Sequence, residues 1–266
     1  MEYFKFILYG LIQGFTEFIP VSSTAHLKII SEFLGIDDPG MALSAIIQLG
    51  SVIALFYYFR KDFILLRRQS AKKYLDLSAH SKLLKSIFIG TIPIVILGGS
   101  IKLFFPYFFD VIFRSNLSIA LVSILASIFM YLADNSKKGF KNLSNHNLSD
   151  SFLIGFSQAF AIFPGFSRSG ITISTALIAG WERSDAAKFS FLLGIPAISL
   201  SAIVELIFSI NDFSLLNFAP LFFGLIATFL SSLFAIHFLI KYFSSNGLKL
   251  FIIYRILFAV VILLSS

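Results

Sequence analysis

The chain has 266 residues, 57% of them hydrophobic and only 13% charged, with 34 phenylalanines and no cysteine. Water-soluble domains average about half apolar and a quarter charged, so the composition excludes an ordinary soluble domain, and the missing cysteine excludes disulfides and thiolate chemistry. A net charge of +7 raises nucleic acid as a partner, but the placement of that charge speaks against it, as shown below.

The N-terminal stretch MEYFKFILYGLIQGFTEF carries Glu2, Gln13 and Glu17 and no small-residue cleavage site, so it is expected to stay in the protein rather than act as a signal peptide. In chain order, a short apolar piece over Phe4–Phe18 meets the polar break IPVSSTAH (Ile19–His26), and a second short piece covers Ala25–Leu34. Three segments long enough to cross a bilayer follow, at Ala42–Phe59, Leu83–Ile101 and Leu117–Ala133. The order then repeats: Ser151–Phe163, the break FPGFSRSG (Phe163–Gly170), Gly170–Trp181, and the spans Ala186–Ile210, Leu216–Ile240 and Leu248–Leu264. A crossing helix needs about 20 mostly apolar residues, and pieces of about 10–14 suit re-entrant segments. Irregular backbone at membrane depth survives only where protein or a wet cavity covers it. The expected fold is therefore an all-α integral membrane protein, one domain over residues 1–266. It has about six transmembrane helices and two re-entrant helix–loop–helix hairpins.

The two hairpins resemble each other. IQGFTEFIPVSST (Ile12–Thr24) aligns with SQAFAIFPGFSRS (Ser157–Ser169) once a residue is dropped from the second, matching Gln13 with Gln158, Pro20 with Pro164 and Ser23 with Ser167. This gives internal repeats at roughly 3–133 and 151–264. Orientation follows from lysine and arginine placement. Arg60, Lys61, Arg67, Arg68, Lys72, Lys73, Lys82 and Lys85 share one side with Lys137, Lys138, Lys141, Arg183, Lys188, Lys241 and Lys249. The opposite side holds Lys5, Lys28, Lys102 and Arg114. The richer side is cytoplasmic, so the positive surplus is topological, and no nucleic acid is expected. An odd number of spans separates the copies, so the second hairpin enters from the opposite face. That is the inverted repeat of many transporters, with broken helices meeting near the midplane.

Pro20 and Pro164 cannot continue a helix, and Ser22, Ser23, Thr24, Ser167 and Ser169 suit the N-caps of the half-helices that follow. Such ends offer free N–H groups and a positive dipole end to an anion. Arg168 adds a charge and a bidentate fork suited to phosphate. Placed centrally, an uncompensated charge costs about 2.5–3.5 kcal/mol on insertion scales. Arg168 is therefore read as awaiting an anionic group, the alternative being a structural pair with Glu17. His26, one turn beyond Ser23, suits a base, or itself a nucleophile, beside that serine, the alternative being a packed histidine. Glu17 and Gln13, at i and i+4, put two oxygen-bearing side chains on one face, which suits a hard divalent cation, the alternative being a capping or packing role. Gln48 faces the site or joins helices. His237 and Glu205 pair within the bundle or line a path. His80 and His146 are expected in solvated loops.

QGFTEFIPVSSTAH and PGFSRSGIT resemble the two signature regions of the bacterial undecaprenyl-diphosphate phosphatase family, also called the bacitracin-resistance family; IIQLGS at 46–51 is similar as well. The family's first motif has Glu or Gln, three residues, then Glu; here Gln13 and Glu17 occupy it, and the glutamine form removes one possible carboxylate. The motif serine and histidine fall on Ser23 and His26. The Ser-Arg and threonine of the second fall on Ser167, Arg168 and Thr172, with Gly165 beside them. The resemblance implies hydrolysis of the C55 lipid diphosphate to the monophosphate with a divalent cation, Mg²⁺ or Ca²⁺. The implied setting is a multi-pass protein of the bacterial cytoplasmic membrane whose site opens to the outer face. Expected partners are the lipid bilayer and the polyprenyl diphosphate; a homodimer is left open. A carrier or flippase for such a lipid is the competing reading. An acid-phosphatase-type enzyme would need a second histidine and an aspartate after SRSGIT, and a membrane scaffold would not need Arg168.

Overall fold

The computed structural model describes residues 2–36, 40–61, 77–104, 113–137, 139–208 and 217–265, and its elements within them are helical. We number them α1 (Glu2–Phe18), α2 (Ser23–Leu34), α3 (Gly40–Tyr58), α4 (Leu77–Phe104), α5 (Asn116–Asp134), α6 (Leu148–Gln158, continued by a 3₁₀ turn over Ala159–Ile162), α7 (Arg168–Ile178), α8 (Arg183–Phe208), α9 (Phe218–Phe243) and α10 (Lys249–Ser265). Four stretches are long and apolar enough to cross a membrane: Ser81–Ile101, Asn116–Asp134, Arg183–Phe208 and Phe218–Phe243. The other two expected spans are also helical, falling on α3 and α10. The expected positions of Arg67, Arg68, Lys72, Lys73 and Lys138 lie outside the described residues, as do the side chains of His80 and Lys102.

The surface is apolar and the interior is studded with small polar groups. Phe88, Leu125, Phe222 and Phe234 are exposed, whereas Ser123, Ser127, Thr228, Ser231 and Ser232 are buried. That inversion suits lipid as solvent: helices gain little by hiding leucine and instead associate through small residues and interhelical hydrogen bonds. Glycine decides two contacts. Gly10 of α1 lies against the Gly224 carbonyl of α9, and Gly155 of α6 lies against the Gly90 backbone of α4, each too close for a β-carbon. So α1 packs along α9 and α6 along α4, while α3 packs on α8 and α5 on α10. A larger apolar cluster, with Phe18, Trp181, Phe189 and Phe191 fully buried, sits under the two breaks.

His146 corrects an expectation. It is fully buried rather than solvated, its ring tilted against Trp181 and Phe189 and joined through Nε2 to the Ser86 hydroxyl at 2.7 Å. Its Nδ1 lies 3.1 Å from the Leu143 carbonyl, which accepts from it. The loop holding it is folded tightly by Asn142 and Asn145 side-chain bonds and ends in a capping box between Asn147 and Asp150.

Candidate active site

Both breaks fold the same way for the same local reason. Each chain reversal ends in a serine with positive φ, Ser22 at 76° and Ser167 at 69°, the only non-glycine residues with positive φ among those described. Such conformations cost about 1–3 kcal/mol and concentrate at functional sites. Each serine is the N-cap of the next helix: Ser167 Oγ accepts the Gly170 N–H at 3.3 Å. Ser22 does not cap its own helix through the side chain; its Oγ accepts the N–H of Gly165 from the other break at 3.2 Å. The backbone therefore pairs Ser167 with Ser22, not with Ser23 as expected. With Gln13 and Gln158 in the same register, no residue needs to be dropped. Pro20 then stands opposite Gly165, and the prolines are out of step because each merely has to fall somewhere in the break.

A third element locks the breaks together. Arg255 of α10, 1% exposed, donates from Nη1 to the Pro20 carbonyl at 3.2 Å and from Nη2 to the Gly165 carbonyl at 2.5 Å, with Ser123 O and Ser127 Oγ at 3.4 and 3.3 Å. The sequence reading missed this residue, although a lone arginine inside an apolar span was available as a signal by the same rule that drew attention to Arg168.

Between the breaks lies a cavity of about 180 Å³, walled by Glu17, Ser22, Ser23, Thr24, Pro164, Ser167 and Arg168, with Thr16, Gln48, Gln158, Ile162, Ile198 and Ser201 among the remaining walls. Glu17 is its hub. Oε1 receives Arg168 Nη2 at 3.1 Å, and Oε2 receives the Ser23 hydroxyl and the Gln13 amide, both at 2.9 Å. The Glu17 and Arg168 side chains are each about 10% exposed. Arg168 Nη1 also donates to the Ser190 carbonyl at 3.1 Å. The guanidinium fits because Gly194 of α8 has no side chain there.

Several expected residues support the wall rather than form it. Thr172 donates to the Arg168 carbonyl at 2.8 Å and meets Ser190 Oγ at 2.6 Å. Ser169 lies buried beside Ser167 Oγ at 3.3 Å. Gly165, with φ of 100°, shapes the second break, and Gln13 steadies Glu17. His26 departs from expectation. Its Nδ1 lies 2.7 Å from the Ser22 carbonyl and its Nε2 2.7 Å from the Tyr254 hydroxyl, and its ring stacks on Phe258 at 4.2 Å. With both ring nitrogens engaged and the ring outside the cavity wall, it does not stand beside Ser23 as a base; one helical turn carries it to the α10 side. Gln48 does face the cavity. Glu205 accepts from Ser201 at 3.2 Å, and His237 lies 3.4 Å from Tyr58.

No group of three or more metal-ligating side chains occurs among the described residues. Glu17 is the carboxylate of the cavity. A carboxylate has about four acceptor sites, and three are engaged here. That donor set fits a hard cation held jointly with phosphate oxygens and water, as Mg²⁺ commonly is, rather than one caged by protein alone.

The helical chain thus encloses a small cavity in which one carboxylate joins a serine hydroxyl to an arginine fork. The chain belongs to the bacitracin resistance protein BacA family, whose sequence model matches residues 6–261. It is 73% identical over 265 residues to an undecaprenyl-diphosphatase of Prochlorococcus marinus strain MIT 9301, covering 100% of both chains. It is 64% identical over 266 residues to the one of strain MIT 9515, again covering 100% of both. With the one of strain NATL2A it shares 42% over 266 residues, covering 98% of this chain and 95% of that one.

Proposed function

We propose that this chain hydrolyses undecaprenyl diphosphate to undecaprenyl monophosphate and phosphate, recycling the lipid carrier of cell-wall synthesis and conferring bacitracin resistance. One observation carries the mechanism: Glu17 holds the Ser23 hydroxyl and the Arg168 guanidinium on its two oxygens in one cavity. Arg168 has five N–H donors and commits some of them to Glu17 and Ser190; the remainder, with half-helix N–H groups, bind the diphosphate. Ser23 Oγ gives its proton to Glu17 Oε2 and attacks the terminal phosphorus. The bond from that phosphorus to the bridging oxygen breaks, and the monophosphate lipid leaves. Water then attacks the Ser23 phosphoester: its hydroxyl goes to phosphorus, Glu17 returns its proton to Ser23 Oγ as the P–O bond breaks, and the second water proton leaves with the released phosphate. Stabilising charge on the equatorial oxygens supplies most of the acceleration. A divalent cation, when bound by Glu17 with Gln13 alongside, neutralises phosphate charge.

The shared backbone of the two breaks and the exchanged packing of α1 on α9 and α6 on α4 support two inverted repeats with re-entrant hairpins. The charge asymmetry supports a cytoplasmic-membrane protein whose cavity opens to the outer face. The carrier reading gains nothing from the relatives, which bear the phosphatase name.

Phosphate release from undecaprenyl diphosphate by purified protein in detergent is the test. Ser23→Ala is expected to lose turnover by about 10³-fold or more, while His26→Gln keeps a measurable rate. Near-normal turnover by Ser23→Ala removes the serine mechanism, and an inactive wild type, with metal chelated and restored, removes the phosphatase reading.

A further inference from the structure

Gln158 is 1% exposed and lies in the cavity wall, yet neither its amide nitrogen nor its amide oxygen has a hydrogen-bond partner among the described residues. Buried polar groups are almost always paired, and each exception calls for a physical reason. The repeat supplies one. In the register set by the two serines, Gln158 is the counterpart of Gln13, whose amide nitrogen binds the Glu17 carboxylate. The counterpart of Glu17 is Ile162, which also lines the cavity. The second hairpin has kept the amide and lost its acid. A leucine or methionine would fill the space with no orphaned group, so the amide is better explained by a partner that arrives from the cavity.

The chain around Gln158 positions it for that. It is the last residue of α6, and the backbone then tightens into the 3₁₀ turn over Ala159–Ile162 before the break. Arg168 stands in the wall of the same cavity, on the far arm of the same hairpin. An amide N–H₂ donates without adding charge, so it complements the guanidinium instead of competing with it for Glu17.

The geometry points to Gln158 as a substrate-contacting residue whose amide nitrogen donates to a phosphoryl oxygen of the lipid diphosphate, while its carbonyl oxygen accepts from a hydroxyl or water of the bound group. This rests on the phosphatase reading. Ile162 fixes which hairpin does it: where a carboxylate follows the glutamine, the amide is consumed inside the protein, and where an isoleucine follows, it is left to the ligand.

The test compares wild type, Gln158→Leu and Gln158→Asn for phosphate release from undecaprenyl diphosphate, for inhibition by inorganic diphosphate, and for thermal unfolding, all in detergent. Losing one hydrogen bond to a charged phosphate corresponds to roughly 10- to 100-fold in kcat/KM. Gln158→Leu is expected to show that loss and weaker inhibition by inorganic diphosphate, with an unfolding temperature equal to or above that of wild type, because an unpaired amide is gone. A purely structural glutamine would do the reverse, lowering the unfolding temperature and leaving the inhibition unchanged. Should Gln158→Leu not accumulate in membranes, Gln158→Asn, which keeps the amide one methylene short, carries the same comparison. Wild-type kcat/KM and inhibition in the variant that folds overturn the assignment of Gln158 alone; a wild type that releases no phosphate overturns the phosphatase reading instead.

Discussion

Gly194→Ala is the sharpest perturbation that the structure allows, because it touches the site without containing any of its chemistry. Gly194 lies inside α8, where alanine is favoured over glycine by about 1 kcal/mol. A β-carbon there would stand 2.7 Å from Cζ and 3.0 Å from Nη2 of Arg168, and closer still to Nη1, whereas ordinary contact begins near 3.4 Å. The obstructing atoms are the tip of a flexible side chain, so the guanidinium moves, by on the order of 1 Å, and the fold does not. Misplacing a reacting or positioning group by about 1 Å costs on the order of 10²-fold in rate. The 3.1 Å bonds from Arg168 to Glu17 and to the Ser190 carbonyl would stretch or break with it. The expected outcome is a protein that unfolds at or above the wild-type temperature but releases phosphate from undecaprenyl diphosphate about 100-fold more slowly. Purified protein in detergent, assayed for phosphate and followed by thermal unfolding, gives both readings. Wild-type kcat/KM in Gly194→Ala would refute the argument that Arg168 must hold this position; a large fall in unfolding temperature would refute the argument that only the side-chain tip yields.

Arg255→Met leaves the Pro20 and Gly165 carbonyls without their shared donor, an expected loss of about 3 kcal/mol or more together with most of the activity; unchanged unfolding and turnover would show that the breaks hold without it. His146 titrates below the ordinary histidine range because burial disfavours the imidazolium and Lys82 repels it, against weaker opposing effects of the Leu143 and Asn142 carbonyls and Asp150. Folding therefore favours the neutral ring, so its contribution is complete above the unfolded pKa of about 6.5 and is lost as the pH falls through the depressed folded value. Unfolding temperature in detergent is expected to drop as the pH falls below the unfolded pKa of about 6.5, and to drop less in His146→Gln; equal slopes would remove His146 as the cause.

Much of the architecture was legible in the sequence because lipid imposes strict rules. Lengths of apolar runs located the helices to within a few residues, and prolines with clustered serines located both breaks. Glu17, Ser23 and Arg168 were singled out from the two breaks, and Glu17 accepts hydrogen bonds from both of the others. Three things were not legible. The register between hairpins depends on which serine takes a positive φ, and no residue type announces that when serines stand in a row. The direction of His26 depends on one turn of helix swinging its ring toward Tyr254 and Phe258 on α10, a long-range contact with no local signature. Arg255 and Gln158 were passed over because one sits in a span and the other in a repeat alignment, where each looked like background.

Aligned on Ser22 and Ser167, the two breaks share a backbone conformation but carry different chemistry. Both hairpins present a serine N-cap with positive φ, and both offer the carbonyl that Arg255 clamps. At the first helical position after the cap, however, one hairpin carries Ser23 and the other Arg168. One turn after the paired glutamines, one carries Glu17 and the other Ile162. A cavity made of two identical halves would put like groups face to face, either two carboxylates that repel or two arginines with no acid to hold them. Divergence at these positions, among others, places the acid and the hydroxyl on one wall and the cation on the other. On the proposed mechanism, the Glu17–Arg168 pair across the cavity is the resting arrangement that the diphosphate must share, with the Ser23 hydroxyl already on Glu17 Oε2. On this account the two breaks are not interchangeable: Glu17 and Ser23 stand on one, and Arg168 and a Gln158 amide unpaired among the described residues stand on the other.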